Sequence, residues 1–459
     1  MCPSHEPRIP GLLSQGEFNG WQLGVFCEGF GLKLLCLSNG HGEDAIAVQI
    51  LRQLQQQPNA PELAALPLVG EGLAYDALPE VPIIGPVQSM PSGGFVYMDG
   101  RQLWRDLQGG LLKLTLAQLK VVTRWAKDGG KILAVGDIVP LLFAWWSGAD
   151  YSFVGTAKSE YYLRDDIGWL PRRTWFERLE SWSGSVYLPW ERWMMGGKRC
   201  KAVFPRDSLT AEILQKHRIQ ALDLGNPMMD EIAPEDTGVR FTDRDSESKE
   251  MGRAMTVVLL PGSRSPEAYE NWQQMMLAVT RLRETFADRR IVFLGAIAPG
   301  LELDPLQKEL DTYGWRIQPG SLSSGVHPID DPEAIVFGQS NGTLVLSQNT
   351  FAQCLRQADF ALAMAGTATE QFVGLGKPAI ALPGRGPQFT PAFAEAQSRH
   401  LGSSLILVKH PDRVADTIGQ ILRDPDRLQL IADNGRRRMG TPGASRRIAE
   451  CLMERMVSD

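Results

Sequence analysis

The sequence predicts an α/β protein: two doubly wound, parallel-sheet domains in tandem. Three observations predict it. Short apolar runs recur, and each is followed by a segment with helical spacing. The runs are nearly continuous in apolar residues rather than alternating, as strands covered on both faces require. They also fall into two series, "KLLCLS", "KILAVG", "YSFVG", "CKAVFP" and "ALDLG", then "TVVLLPG", "IVFLGA", "DFALAM", "PAIALP" and "SLILV". A charged segment poor in large apolar residues separates the series. Two such halves suggest Rossmann-like domains facing a cleft, with ligands beyond the carboxyl ends of the strands.

A chain of 459 residues exceeds one ordinary core, which again favours two domains. The expected boundaries are a tail over 1–30, a first Rossmann-like domain over 31–235 and a linker over 236–253. A second domain then covers 254–435, and a C-terminal helix over 436–459 is free to pack back on the first domain. Hydrophobic content of 43% and charged content of 22% are those of a globular protein. A net charge of −6 argues against a general nucleic-acid binder. Six scattered cysteines without a CxxC pair give no zinc signature and suit a reducing compartment. No apolar stretch reaches the roughly 18 residues that span a bilayer. The first residues lack a basic segment followed by an apolar core, so no signal peptide is expected.

The first strand ends in Ser38-Asn39-Gly40-His41-Gly42-Glu43-Asp44, after which Ile46, Ile50 and Leu54 recur at helical spacing. A turn there needs no histidine and two acids. Histidine is the side chain whose pKa starts closest to neutrality, so His41 is the first candidate for a general base. Asp44 and Glu43 come next, as base or as partners of the imidazole, and Asp137 is a helper or replacement. Asp44 can also serve only as a helix cap.

Residues 101–127 carry Arg101, Arg105, Lys113, Lys120, Arg124 and Lys127 against one acid, Asp106, with Trp104 and a leucine series at helix spacing. A basic amphipathic helix in an acidic protein suits an anionic membrane surface, or is an ordinary helix with a buried leucine face. Seven of the twelve tryptophans, Trp145, Trp146, Trp169, Trp175, Trp182, Trp190 and Trp193, crowd residues 145–193. Indole is favoured at lipid interfaces and can stack on sugars.

In the second half, "TVVLLPGSRSPEAYENW" runs from strand to helix through Gly262, Ser263 and Arg264. The glycine lets a ligand approach the backbone, and the arginine offers a fork of donors to phosphate. In "DFALAMAGTATEQFVGLGKP", Gly366, Thr367, Ala368 and Thr369 open a helix whose free N–H groups suit a pyrophosphate. Glu370 in its first turn fits the helix dipole or accepts from ribose hydroxyls. Gln388 and Gln397, in and after the next loop, offer amides to a sugar.

With these motifs in order, the chain resembles GT-B glycosyltransferases, and among them the lipid-A-disaccharide synthase group and its cyanobacterial relatives. The matching pieces are "LLPGSR" (259–264), "GTAT" (366–369) with "GKP" (376–378), "AVFPRDSLTAEIL" (202–214) and "LGNPMMDEI" (224–232). The resemblance implies a nucleotide-sugar held mainly by the second domain and an acceptor held by the first. It implies inversion at the anomeric carbon with no required metal or cofactor. Three departures accompany it. The first turn is "SNGHGED" where the group has a pattern like GExSGD. Its Gly-His is closer to the peptidoglycan N-acetylglucosaminyltransferases and plastid galactolipid synthases. In "GDIVPLLFAWW" an expected second acid is Leu141, and Asp137 is displaced. The helix acid expected at Gln371 stands instead at Glu370, about 100° away around the helix.

The expected protein is therefore a UDP-sugar-dependent transferase acting on a lipid-type acceptor, cytoplasmic and peripheral to the inner membrane face. A UDP-sugar 2-epimerase or hydrolase on the same scaffold, and a catalytically silent nucleotide-sugar binder, are the alternatives.

Overall fold

Leu34 and Cys36 face one side of the first strand, Leu35 and Leu37 the other, and all four are fully buried. A strand covered on both faces needs two layers of helix, and the molecule supplies them. The computed structural model describes residues 32–88, 111–165, 167–171, 178, 181–232, 254–318 and 329–457. The expected tail and linker lie outside these.

The first sheet contains β1 (Lys33–Ser38), β2 (Glu62–Pro67), β3 (Lys131–Gly136), β4 (Tyr151–Gly155) and β5 (Cys200–Pro205). Its order is β2-β1-β3-β4-β5, with every pair parallel. The helix His41–Gln55 covers the Leu34 face, and the helices Leu111–Lys127 and Ile138–Ser147 cover the Leu35 face. The order reverses between β1 and β3, which opens a crevice at their carboxyl ends.

The second sheet contains β6 (Met255–Leu260), β7 (Ile291–Ala296), β8 (Arg316–Ile317), β9 (Ile335–Gln339), β10 (Gly342–Ser347), β11 (Phe360–Ala363), β12 (Ala379–Ala381) and β13 (Leu405–Leu407). Its order is β13-β12-β11-β6-β7-β10-β9-β8, and the reversal lies between β11 and β6. β9 and β10 form an antiparallel hairpin through Ser340-Asn341, with Ser340 at φ 50°. The fragment "ALDLG" forms no strand, and Ala221 makes a single parallel bridge to Val203.

The chain crosses between the two sheets more than once. The last helix, Ala444–Val457, buries Ile448, Ala449, Leu452 and Met456 in the same cluster as Leu34 and Cys36 of the first domain. Asp230 fixes its start: its carboxylate accepts from the N–H groups of Gly443, Ala444 and Ser445 at 2.5, 3.1 and 2.7 Å. These are the donors a helix N-terminus leaves open.

Candidate active site

At the reversal in the first sheet, β1 passes through Asn39 and Gly40 directly into its helix. Gly40 has φ 118°, a value only glycine adopts freely, so the helix can start one residue later. His41 is the first helical residue, and its side chain lies outside the described residues. Glu43 and Asp44 then diverge. Asp44 turns under the sheet and is buried, accepting from Ser38 Oγ at 2.6 Å, and Ser38 Oγ lies 2.6 Å from the Tyr75 hydroxyl. It makes no helix cap. That placement binds the turn to the core.

Glu43 turns the other way, half-buried at the carboxyl end of the sheet. A Cβ on Gly136 would lie 3.3 Å from its Cγ, so the glycine leaves room for the carboxylate. Thr156 Oγ1, just past β4, donates to Glu43 Oε1 at 3.3 Å. Burial pushes the Glu43 carboxyl up to about 7; the neighbouring Asp137 charge adds to this, and the Thr156 hydrogen bond acts against it. Asp137 caps the helix Ile138–Ser147, accepting from Val139 N–H at 2.8 Å. Burial also raises its pKa, while the Val139 N–H and the Asn39 side chain hold it back. Two carboxyls with raised pKa values therefore stand at this switch point, near enough for the Asp137 charge to act on Glu43. Leu141, where the resemblance expects an acid, is fully buried.

At the reversal in the second sheet, the ends of β6 and β11 meet. Gly262 (φ 103°) turns the chain so closely past β11 that a Cβ would stand 3.4 Å from the Met364 carbonyl. Ser263 is exposed and Arg264 half-buried. Burial lowers the Arg264 pKa and Glu267 works the other way. With its amide oxygen facing the guanidinium, Gln388 accepts from Arg264 Nε at 3.2 Å. Glu267, buried at the start of the next helix, accepts from the N–H groups of Gln388 and Phe389 at 3.1 and 2.6 Å. It pins the loop after β12 beside Arg264. The helix Thr367–Gly374 begins at Gly366 without a side-chain cap, so Thr367 and Ala368 present the start of an uncapped helix. Gln397 is buried and donates to the carbonyls of Ala365 and Gly366 at 3.3 and 3.0 Å, and Thr369 Oγ1 donates to Ala365 O at 2.5 Å. Both side chains brace the turn.

Glu370 and Gln371 point to the first half of the chain. Gln371 donates to Met228 O at 3.0 Å and Glu231 at 3.2 Å. Glu370 is paired with buried Arg206, just past β5, at 2.7 Å. The other end of the same guanidinium donates to the Thr156 carbonyl at 3.0 Å. His400 lies 3.7 Å from Glu370 and stacks on Tyr162, with ring centroids 4.7 Å apart. Burial, with the Arg206 and Arg438 charges, holds its pKa well below the usual value, so it is neutral.

The structure thus brings Glu43 and Asp137 together in one domain, and Gly262, Arg264, Gln388 and Gly366 together in the other. It assigns Asp44, Gln371 and Gln397 to internal hydrogen bonds. Arg101, Trp104 and Arg105 lie outside the described residues. Lys113 is exposed, Trp145 is half-buried and Trp146 is 64% exposed. Thr156, Arg206 and Glu267 carry no signal in composition or periodicity. Arg206 and Thr156 stand directly after apolar strands, the position where such folds keep their polar site residues.

No protein-family model matches the chain, and no curated protein does. Solved structures do. A protein assigned as a UDP-N-acetylglucosamine 2-epimerase, from Listeria monocytogenes, is 14% identical with a TM-score of 0.53, over 93% of this chain and 97% of that one. The S. aureus MnaA–UDP complex is 11% identical with a TM-score of 0.51, over 92% and 96%. The Neisseria meningitidis UDP-GlcNAc 2-epimerase bound to UDP-GlcNAc is 16% identical with a TM-score of 0.50, over 92% and 100%. At these identities the likeness establishes the fold, the two-domain GT-B arrangement.

Proposed function

We propose that this GT-B protein is an inverting, UDP-sugar-dependent glycosyltransferase with a lipid-type acceptor. The observation that carries the reading is the placement of Glu43 at the switch point of the first sheet, against Gly136 and Thr156, where burial pushes its carboxyl up to about 7. A base there takes the proton of an acceptor hydroxyl as that oxygen bonds to the anomeric carbon. The bond from that carbon to the β-phosphate oxygen breaks, and UDP leaves with the electron pair. Arg264, Gly262 and the helix start at Gly366–Ala368 hold the diphosphate, and Gln388 is placed beside it. UDP and UDP-GlcNAc in two of the structural neighbours support a nucleotide-sugar donor.

Two adjacent carboxyls and the epimerase neighbours favour a second reading, a UDP-sugar 2-epimerase. One experiment separates them: the protein is incubated with UDP-GlcNAc in deuterated buffer, with and without a membrane lipid extract, and followed by NMR. Release of UDP only when lipid is present is the expected result. Deuterium at C2 or appearance of the C2 epimer without lipid establishes the epimerase. Binding without turnover in either case leaves a silent nucleotide-sugar binder.

The acceptor class rests on one surface. Leu142 and Trp146 of one helix and Trp190 and Trp193 of the helix Pro189–Met195 are 42–64% exposed, and the Trp145 and Trp193 rings are 5.0 Å apart. The helix Leu111–Lys127, with exposed Lys113, Lys120, Arg124 and Lys127, packs against the first of these. No helix among the described residues is long and apolar enough to cross a membrane. Indoles at the headgroup level and a basic rim fit peripheral binding at an anionic surface. Reversing Lys113, Lys120 and Arg124 to glutamate is expected to abolish the preference for anionic over neutral vesicles in co-sedimentation, each charge being worth about 1 kcal/mol. Replacing Trp146 and Trp193 by serine is expected to weaken binding to both. Equal sedimentation of wild type with neutral and anionic vesicles removes the electrostatic part of this reading.

A further inference from the structure

We propose that Arg206 is a positioning residue that links the donor-side helix to the acceptor-side base, by holding Glu370 with one arm of its guanidinium and the Thr156 backbone with the other. This rests on the reading of Glu43 as the base.

The path is continuous. Thr156 Oγ1 donates to Glu43 at 3.3 Å, the Thr156 carbonyl accepts from Arg206 Nη1 at 3.0 Å, and Arg206 Nη2 reaches Glu370 at 2.7 Å. Glu370 lies in the first turn of the uncapped helix that begins at Gly366, just after β11. Every member belongs to a segment just past a strand or in the first turn of a helix, where a small rotation of either domain is felt directly. Arg206 is 6% exposed, so its pairing is shielded from water and salt. Burial works against its charge, but Glu370, Tyr162 and Asp207 outweigh this and hold it firmly protonated.

The guanidinium does both jobs through two different nitrogens, Nη1 and Nη2, whose N–H groups point in fixed directions. A lysine ammonium carries its three donors on one nitrogen, without that fork. Lysine at 206 keeps the charge facing Glu370 and gives up the fixed second arm that holds the Thr156 carbonyl. Released, the Thr156 hydroxyl no longer stabilises the Glu43 carboxylate, and a carboxylate losing a hydrogen bond to its charged form titrates at higher pH.

The test is the titration of the Glu43 carboxyl, followed by isotope-edited infrared difference against Glu43→Gln, which needs no turnover. Arg206→Lys is expected to move the Glu43 midpoint up by about half a pH unit or more, as is Thr156→Val. The double variant is expected to shift no further than Thr156→Val alone, because both act through one bond. In the transferase assay, Arg206→Lys should lower kcat and move its acid limb upward while UDP affinity, measured by calorimetry, stays within about threefold. If Arg206→Lys does not fold, the paired Arg206→Met/Glu370→Gln variant removes both charges together and is held to the same titration. An unchanged Glu43 midpoint overturns the link, and so do strictly additive shifts in the double variant. Absence of UDP binding by wild type overturns the functional reading instead, and the two failures are read from different instruments.

Discussion

Glu43→Gln is expected to lower turnover by about 10²–10⁴, the usual range for losing a general base, with UDP affinity unchanged. Glutamine keeps the shape and can still accept from Thr156, so only the proton-accepting function is removed. With a Glu43 pKa of about 7, wild-type kcat should fall about tenfold per pH unit on the acid side of neutrality. The Glu43→Gln residual rate should lack that limb. The same substitution should stabilise the fold, and the sign follows from linkage. The folded-state pKa is raised above the ordinary 4.5, so between 4.5 and 7 the folded protein binds more protons than the unfolded chain. The contribution of Glu43 to stability is whole below about pH 4.5 and is lost as pH rises through 7. Glutamine has no charge to desolvate. Glu43→Gln should therefore gain on the order of 2–3 kcal/mol over wild type at pH 8 and little at pH 4.5. Chemical denaturation at both pH values checks this, and a gain that does not depend on pH means that Glu43 is an ordinary solvated acid. A site held at the expense of stability is also the expected signature of function.

The strands that sequence reading finds are those rich in β-branched residues and leucine, such as "KILAVG" and "TVVLLPG". It passes over β2, "ELAALP", because alanine carries little strand signal, and over the β9–β10 hairpin, although Val336–Phe337 and Leu344–Leu346 are apolar and buried. The two strand-to-helix turns at Gly262 and Gly366 are legible because glycine directly after an apolar run marks the end of a strand. What is not legible is direction. Glu43 and Asp44 are adjacent, and one faces the crevice while the other is drawn beneath β1 by Ser38 and Tyr75, the latter 37 residues from Ser38. A single sequence does not show that Tyr75 waits there. Gln397 reads as a sugar contact from its place after a loop; in the structure it stands in the helix Pro391–Leu401, and its amide donates to the Ala365 and Gly366 carbonyls, which no local pattern shows. The Arg206–Glu370 pair spans 164 residues and joins two domains, so no local pattern announces it.

Arg264→Ala is expected to weaken UDP binding by about tenfold or more, since a hydrogen bond to a charged group is worth roughly 1.5–3 kcal/mol. The fold should be indifferent: Arg264 is half-buried on a turn, and neither the buried strands of β6 and β11 nor Glu267's bonds to the Gln388 and Phe389 backbone pass through it. Because Gln388 touches the same guanidinium, part of the loss can come from a released glutamine. Gln388→Ala measures that part; it should cost less than Arg264→Ala, because it removes an orienting partner and leaves the charge. Arg264→Lys should fall between, keeping the charge but not the fork that can meet two phosphate oxygens at once. Calorimetry with UDP and with uridine alone completes the assignment. The Arg264→Ala penalty should appear with UDP and vanish with uridine, which has no phosphate to hold. A penalty of equal size for both ligands places Arg264 at the base or ribose rather than the diphosphate, and no penalty for either removes it from the site.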